Sequence, residues 1–245
     1  MPHISELNHL CHPLRIDRYA RNAAGRDLIV GDIHGHFSRL RKALDAIGFN
    51  ERSDRLFCLG DLVDRGPDSP QAFEWLAKPW FHSVLGNHER AALEWASGAL
   101  DEELYVANGG DWNIGVPAQL TVDRAAVFAD LPVAIELETP AGLLGLVHAD
   151  VPSASWEEFR EQLRLDSGRP NDERSTLDGA VNSRRRFKRG IGGPVAGVHA
   201  VVVGHTRVGR PRWSSNVLCI ETGGWFDGYL TVVDASTLTT AVRLR

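Results

Sequence analysis

The chain has 245 residues, with 27 Lys and Arg against 32 Asp and Glu, so its formal net charge is −5. Hydrophobic residues make up 43% and charged residues 24%, a balance that argues against global disorder and supports a core needing no disulfides. Mild acidity argues against a general nucleic-acid binder, no apolar run approaches the ~18 residues of a membrane span, and Cys11, Cys58 and Cys219 are too scattered for a CxxC pair or disulfide framework. A soluble protein of the reducing cytoplasm is expected, its oligomeric state open but a monomer sufficient.

The first third alternates strand and helix signals. Leu28-Ile29-Val30 is a short apolar run leading into the Gly-flanked polar turn Gly31-Asp32-Ile33-His34-Gly35. Phe37, Leu40, Leu44 and Ile47 then trace a helical stripe closed by Gly48. Leu56 to Leu59 reads as a strand and Gly60 to Gly66 as a loop; Ser69-Pro70 reads as an N-cap with Pro at N1, opening a helix through Phe73 and Leu76. Phe81 to Leu85 predicts a third strand, followed by Gly86-Asn87-His88-Glu89 and another helix. This order predicts a parallel or mostly parallel sheet with covered faces, and polar loops at strand carboxyl ends, where α/β sheets bind ligands.

The second half is richer in strands. Val133–Leu137 and Leu143–Val147 flank Thr139-Pro140-Ala141-Gly142, predicting a hairpin with a loop longer than two residues that delivers His148. Trp156 to Leu165 predicts a helix, and Asp166 to Gly179, polar and rich in turn formers, a mobile loop. Val201–Val203 predicts a buried strand ending at Gly204-His205, and strands near Val217–Ile220, Tyr229–Val233 and Leu238–Arg243 close the chain. No composition shift marks a boundary, so residues 1–245 are expected to form one domain.

Five polar clusters follow predicted strands: Asp32/His34, Asp61/Asp64/Arg65, Asn87/His88, His148 and His205. Carboxylate, imidazole and amide oxygen together suit Mn²⁺, Fe, Zn²⁺ or Co²⁺ better than thiolate-seeking metals. A carboxylate shared between two such groups can bridge two ions, typically about 3.5–4 Å apart. Alone, His148 or His205 reads more readily as a structural histidine; it is the company of the other clusters that makes them ligand candidates. Neither GxSxG nor a GxxxxGK[ST] loop is present in the sequence.

GDIHG (31–35), GDLVDRG (60–66), GNHE (86–89), VHAD (147–150) and GHT (204–206), in this order and spacing, resemble the signature of the metallo-dependent phosphoprotein phosphatase family. The similarity is closest to the small bacterial and bacteriophage lambda-type Ser/Thr protein phosphatases, within the calcineurin-like metallophosphoesterases. It covers about residues 28–233, with KPWF (78–81), NGGDW (108–112) and HADVP (148–152) as smaller matches. The resemblance implies an α/β fold, an αββα four-layer sandwich of two mixed β-sheets flanked by helices. It implies two divalent ions, Mn²⁺ foremost with Fe, Zn²⁺, Co²⁺ or Ni²⁺ as alternatives. Asp32 and His34 would ligate the first, Asp61 bridge both, and Asn87, His148 and His205 hold the second.

The implied reaction is hydrolysis of phosphoserine or phosphothreonine in proteins, with phosphotyrosine a further substrate, by a bridging hydroxide attacking phosphorus. His88 would be general acid, Asp64 its orienting partner, and Arg65 a phosphate ligand. For a second phosphate-binding arginine, Arg184 aligns best and Arg186 next, in a run that departs from the family pattern. Glu89 is expected to be a buried or helix-N-terminal carboxylate, His36 a rim or surface residue, and His3, His9, His12, His82 and His199 structural or solvated. Two rivals stand beside this reading: symmetrical diadenosine tetraphosphate hydrolysis, whose enzymes typically carry Ala at the position of Asp64 and GNHD, and an inactive phosphoprotein-binding module, which would lack a ligand or acid. A phosphorylated protein is the expected partner; stable nucleic-acid or membrane binding is not expected.

Overall fold

A computed structural model of the chain describes residues 14–166 and 175–245. Strands β1 (Ile16–Tyr19) and β2 (Asp27–Val30) come first, then helix α1 (Phe37–Ala46), β3 (Arg55–Cys58), α2 (Ala72–Leu76), β4 (Phe81–Ser83) and α3 (Asn87–Ala96). Helices α4 (Glu102–Ala107) and α5 (Ala118–Ala129) lead to β5 (Ala134–Thr139) and β6 (Gly142–Val147). The chain continues through α6 (Trp156–Asp166), α7 (Thr176–Asn182), α8 (Arg185–Arg189), β7 (Ala200–Val203), β8 (Arg212–Ser214), β9 (Val217–Cys219), β10 (Leu230–Asp234) and β11 (Thr240–Leu244).

The strands form two mixed sheets, a six-stranded one in the order β1-β5-β6-β7-β9-β8 and a five-stranded one in the order β11-β10-β2-β3-β4. The expected parallel order holds for β2, β3 and β4, with Ile29 opposite Phe57 and Phe57 opposite His82, while β10 adds an antiparallel edge. Side-chain alternation explains the layers. Leu28 and Val30 of β2, with Leu56 and Cys58 of β3, pack toward the α1 and α2 side with Phe37, Leu40 and Trp75. Ile29 and Phe57 point the other way and meet Leu144, Leu146, Val202 and Leu218 of the second sheet. Val201 and Val203 in turn face Trp156, Phe159 and Val181. Apolar residues on both faces of these strands thus require cover on both sides, giving helix, sheet, sheet, helix.

Several local expectations shift. The β5–β6 hairpin pairs Thr139 with Gly142, leaving a two-residue loop of Pro140 and Ala141 rather than a longer one. Ser69-Pro70 opens a 3-10 turn (Ser69–Gln71) with Asp68 at the cap position, and the α-helix starts only at Ala72. Of the loop expected over 166–179, residues 167–174 lie outside the described residues, but Thr176–Asn182 is helical, with the Ser175 hydroxyl accepting from Asp178 N. Strands β1 and β8 were not anticipated: both contain polar or partly exposed residues and so lack an unbroken apolar run. Cys58 and Cys219 are free and buried, Cys11 lies outside the described residues, and no described helix is long and apolar enough to cross a membrane.

Candidate metal centre

The strand-end loops converge on one buried cluster. Ile33 N and His34 N both donate to Asp61 O, at 3.0 and 2.8 Å, and Gly35 N donates to Leu62 O at 2.8 Å, stitching the first loop to the second. Glu89 fixes the second loop from below: its carboxylate accepts from Asp61 N (2.9 Å), Leu62 N (2.7 Å), Val63 N (3.3 Å) and Gly86 N (3.0 Å). It is fully buried, as the helix-N-terminal reading expected, and it shapes the loop that carries Asp61. Gly86 is obligatory beside it, because a Cβ there would collide with the Asp61 amide and carboxylate. Five of the seven non-glycine residues with positive φ among the described residues are His34, Asp61, Asp64, Arg65 and His205. Such backbone strain concentrates where side chains must be aimed against local preference.

Three imidazoles share one arrangement. His34 Nδ1 donates to Val63 O at 3.0 Å, His148 Nδ1 to Leu59 O at 2.6 Å, and His205 Nε2 to Asn182 O at 3.1 Å. Each ring is thereby held by its far nitrogen on a backbone carbonyl, and its near nitrogen faces the cluster, the orientation that metal-ligating histidines adopt. His34 Nε2 lies 3.4 Å from Asp61 Oδ2, and His148 Nε2 lies 3.4 Å from Asp61 Oδ1, 3.0 Å from Asn87 Oδ1 and 3.2 Å from His205 Nδ1. Two buried donor groups result, His34/Asp61/His88 and Asp61/His148/His205, the candidate ligand atoms of each lying within 4.8 Å of one another. Asp61 belongs to both. Asp32 sits alongside, 4.0 Å from His34 Nε2, and accepts from His205 N at 3.0 Å.

Electrostatics agree with a cation-seeking site. Burial first, and then Asp61, push the Asp32 carboxyl up to about 7. Burial also works against charge on Asp61, but His148, His88 and His34 hold its carboxyl well below the usual carboxylate range. His148 is held up to about 9: burial lowers it, but Asp61 outweighs that. Its Nε2 faces Asn87 Oδ1 and Asp61 Oδ1. Mixed oxygen and nitrogen donors, all on hard or borderline atoms, fit a divalent ion.

His88 differs from the three other rings. Its Nδ1 donates to Asp64 Oδ2 at 2.6 Å, and Asp64 Oδ1 accepts from Trp112 Nε1 at 2.7 Å. Burial opposes charge on His88, but Asp61 and Asp64 together hold its pKa above the ordinary imidazole value. Arg65 lies across the cluster, donating from Nη1 to His34 Nε2 at 2.6 Å and from Nη2 to His88 Nε2 at 2.8 Å. Gly109 accepts from Arg65 N at 3.1 Å in a left-handed turn, φ +99°, where a Cβ would fall 2.7 Å from that nitrogen.

Two tryptophans complete the site without having been singled out from sequence. Trp112 belongs to the NGGDW segment, noted only as a family marker. Trp225 lays its ring 4.2 Å from the Arg65 guanidinium carbon and edge-on to His34, centroids 5.1 Å apart. His36 Nε2 donates to Trp225 O at 3.1 Å, which makes His36 a rim residue. The only sequence signal for Trp225 was its glycine-flanked turn.

The arginine run resolves by burial. Arg186 is 4% exposed; its Nε donates to Asp150 Oδ1 at 2.7 Å and its Nη1 to Gly193 O at 2.7 Å, so it is engaged structurally. Arg184 is exposed and reaches His205 O with Nη1 at 3.4 Å, beside the cluster. Arg186→Ala, which strands buried Asp150, is expected to lower the unfolding free energy by about 3–5 kcal/mol. Arg184→Ala should change it by under about 0.5 kcal/mol, a contrast that urea denaturation reads directly. Among the other histidines, His82 bonds Tyr19 at 3.1 Å and His199 is exposed, while His3, His9 and His12 lie outside the described residues.

Known proteins share this arrangement of sequence and fold. A serine/threonine-protein phosphatase 1 from Salmonella typhimurium is 34% identical over 207 residues, covering 83% of this chain and 89% of the relative. A symmetrical bis(5′-nucleosyl)-tetraphosphatase from Erwinia tasmaniensis is 41% identical over only 63 residues, 25% of this chain and 23% of that protein. The solved structure of a protein serine/threonine phosphatase from Saccharomyces cerevisiae superposes with a TM-score of 0.61 at 17% identity, covering 94% of this chain and 80% of that one, a likeness of fold. The model of the calcineurin-like phosphoesterases matches residues 26–209, a span holding every strand-end loop just described, and the chain belongs to that family.

Proposed function

We propose that this chain is a metal-dependent phosphomonoesterase acting on phosphoserine and phosphothreonine in proteins. The observation that carries the reading is Asp61, shared between two histidine-bearing donor groups with Arg65 and the His88–Asp64 pair at their edge. Asp32, His34 and Asp61 would hold one divalent ion, and Asp61, Asn87, His148 and His205 a second, with manganese the first candidate. Bound there, the ions supply Lewis acidity toward phosphoryl oxygens and a nucleophilic water near neutral pH. The two sheets act as one domain in this reading, because neither alone supplies both donor groups.

The protein side chains do the rest. Arg65 turns its two Nη donors from His34 and His88 onto phosphoryl oxygens, matching a planar fork to two acceptors. That movement frees His34 Nε2 for ligation and His88 Nε2 to carry a proton. His88 then protonates the departing serine or threonine oxygen, with Asp64 stabilising the imidazolium through Nδ1. Trp112 anchors Asp64, and Arg184 adds positive charge at the rim. Trp225 steadies Arg65 from the side. A cation–π contact of this kind contributes about 0.5–2 kcal/mol, so Trp225→Ala is expected to raise KM for phosphomonoesters about 2- to 30-fold, with Trp225→Phe recovering most of the loss in steady-state assays.

Two features support a protein substrate over diadenosine tetraphosphate: similarity to the phosphatase relative spans most of both chains, and Asp64 is present and bonded to His88. Turnover of a phosphothreonine peptide and of diadenosine tetraphosphate, at equal enzyme with added Mn²⁺, tests this. A preference for the peptide, abolished by chelation, is expected. Strong preference for the dinucleotide would overturn the reading, and failure of the well-folded, metal-loaded protein to hydrolyse para-nitrophenyl phosphate would favour a binding module.

A further inference from the structure

A cleft of about 390 Å³ opens beside His88, between α3 and α7. His88, Arg90 and Glu94 line it from α3, Asp178 and Asn182 from α7, and Asn108 from the end of α4. Its volume falls in the range of ordinary ligand sites. Arg90 Nε donates to Glu94 Oε1 at 2.8 Å, and Arg90 Nη1 lies 3.5 Å from Asp178 Oδ1. The guanidinium is therefore held between two carboxylates, and the three groups together carry one net negative charge. Glu94 and Asp178 are 27% and 22% exposed, sheltered enough to matter and open enough to be reached. Among the described residues lining the cleft there is no Phe, Tyr or Trp to stack on a nucleobase.

Position decides what such a cleft holds. In the reaction proposed above, His88 Nε2 delivers the proton to the leaving oxygen, so the body of the leaving group departs past His88. The cleft starts at His88 and its neighbour Asn87. We propose that it is the leaving-group subsite, and that Glu94 and Asp178 select protein segments with Lys or Arg beside the phosphorylated residue. This inference rests on the phosphatase reading and gives it a substrate preference. A nucleoside polyphosphate leaving group would bring several negative charges against the net negative wall of Glu94, Arg90 and Asp178, without an aromatic plane to hold its base. Partly exposed ion pairs are modest, so a discrimination of about three- to tenfold is expected.

The test uses two phosphothreonine peptides of one sequence, with either Arg or Glu at the flanking positions, and the full-length protein loaded with Mn²⁺. The ratio of kcat/KM for the basic over the acidic peptide should be about three to ten. Glu94→Gln should bring it close to one, and Glu94→Lys should invert it. Arg90→Gln, which removes the positive charge and spares both carboxylates, should raise it. Because each protein supplies its own ratio, a general loss of activity does not mimic the effect. A ratio near one in the unaltered protein, or one that Glu94→Lys leaves in place, overturns the proposal while the phosphatase reading stands. If neither peptide is hydrolysed but para-nitrophenyl phosphate or diadenosine tetraphosphate is, the phosphatase reading itself falls, and the proposal with it.

Discussion

Asp61→Asn is expected to lose bound metal and phosphatase activity together. Asp61 is the one residue common to both donor groups, with Oδ1 3.4 Å from His148 and Oδ2 3.4 Å from His34. Asparagine keeps the shape and an oxygen, so His88 N, which donates to Oδ1 at 3.1 Å, retains an acceptor and the loop retains its anchorage on Glu89. What disappears is the charge. Three histidine rings now hold that carboxylate ionised against the cost of burial, so its electrostatic pull on cations is strong. Losing one preorganised stabiliser costs ~3–4 kcal/mol, so kcat should fall at least about a hundred- to a thousandfold. Metal analysis after gel filtration should show less bound Mn²⁺ in the same sample. Full metal content with lost activity would remove Asp61 from the role of shared ligand.

His88→Asn should separate those two quantities. The ring is bonded through Nδ1 to Asp64, whereas His34, His148 and His205 are bonded to backbone carbonyls, and in the proposed reaction that carboxylate stabilises His88 in its proton-carrying form. Metal content should stay near that of the unaltered protein, and kcat on a phosphothreonine peptide should fall about 10²- to 10⁴-fold, the usual range for general acid–base catalysis. The loss on para-nitrophenyl phosphate should be much smaller, because that leaving group departs without needing a proton. Asp64→Asn should follow the same pattern more weakly. An equal loss on both substrates, or an emptied site, would contradict the assignment, the second outcome making His88 a ligand of the first donor group.

Much of the site was legible because its signals are local. A short apolar run and the polar residues after it are contiguous in sequence, and each such cluster stands just beyond its strand, Asn87 and His88 already in the first turn of α3. The parallel order of β2, β3 and β4 was legible for the same reason. Which sheet each later strand joins was not, because pairing of β9 with β7 and of β10 with β2 depends on contacts far apart in the chain. The sequence ranked Arg184 above Arg186, two residues apart in one basic run, but nothing in that run reveals that Asp150, 36 residues away, engages Arg186. Trp225 escaped for a similar reason: a tryptophan in a glycine-rich turn carries no mark of the guanidinium that it covers. Glu89 was read correctly as buried, but nothing in GNHE reveals that its carboxylate gathers amides from the preceding loop.

The division of donors between the sheets has a thermodynamic consequence. Asp32, His34, Asp61 and Asn87 follow strands of the five-stranded sheet, whereas His148 and His205 follow β6 and β7 of the six-stranded one. Whatever ion sits among Asp61, His148 and His205 ties one sheet to the other, and the unfolded chain offers no comparable site. Binding therefore couples to folding by mass action, adding about 2.7 kcal/mol when free metal stands at a hundred times its Kd. The thermal midpoint should climb as Mn²⁺ is titrated in, and Asp61→Asn should flatten that climb. Through this linkage, ion availability would govern what fraction of the chain is folded as well as how fast it works.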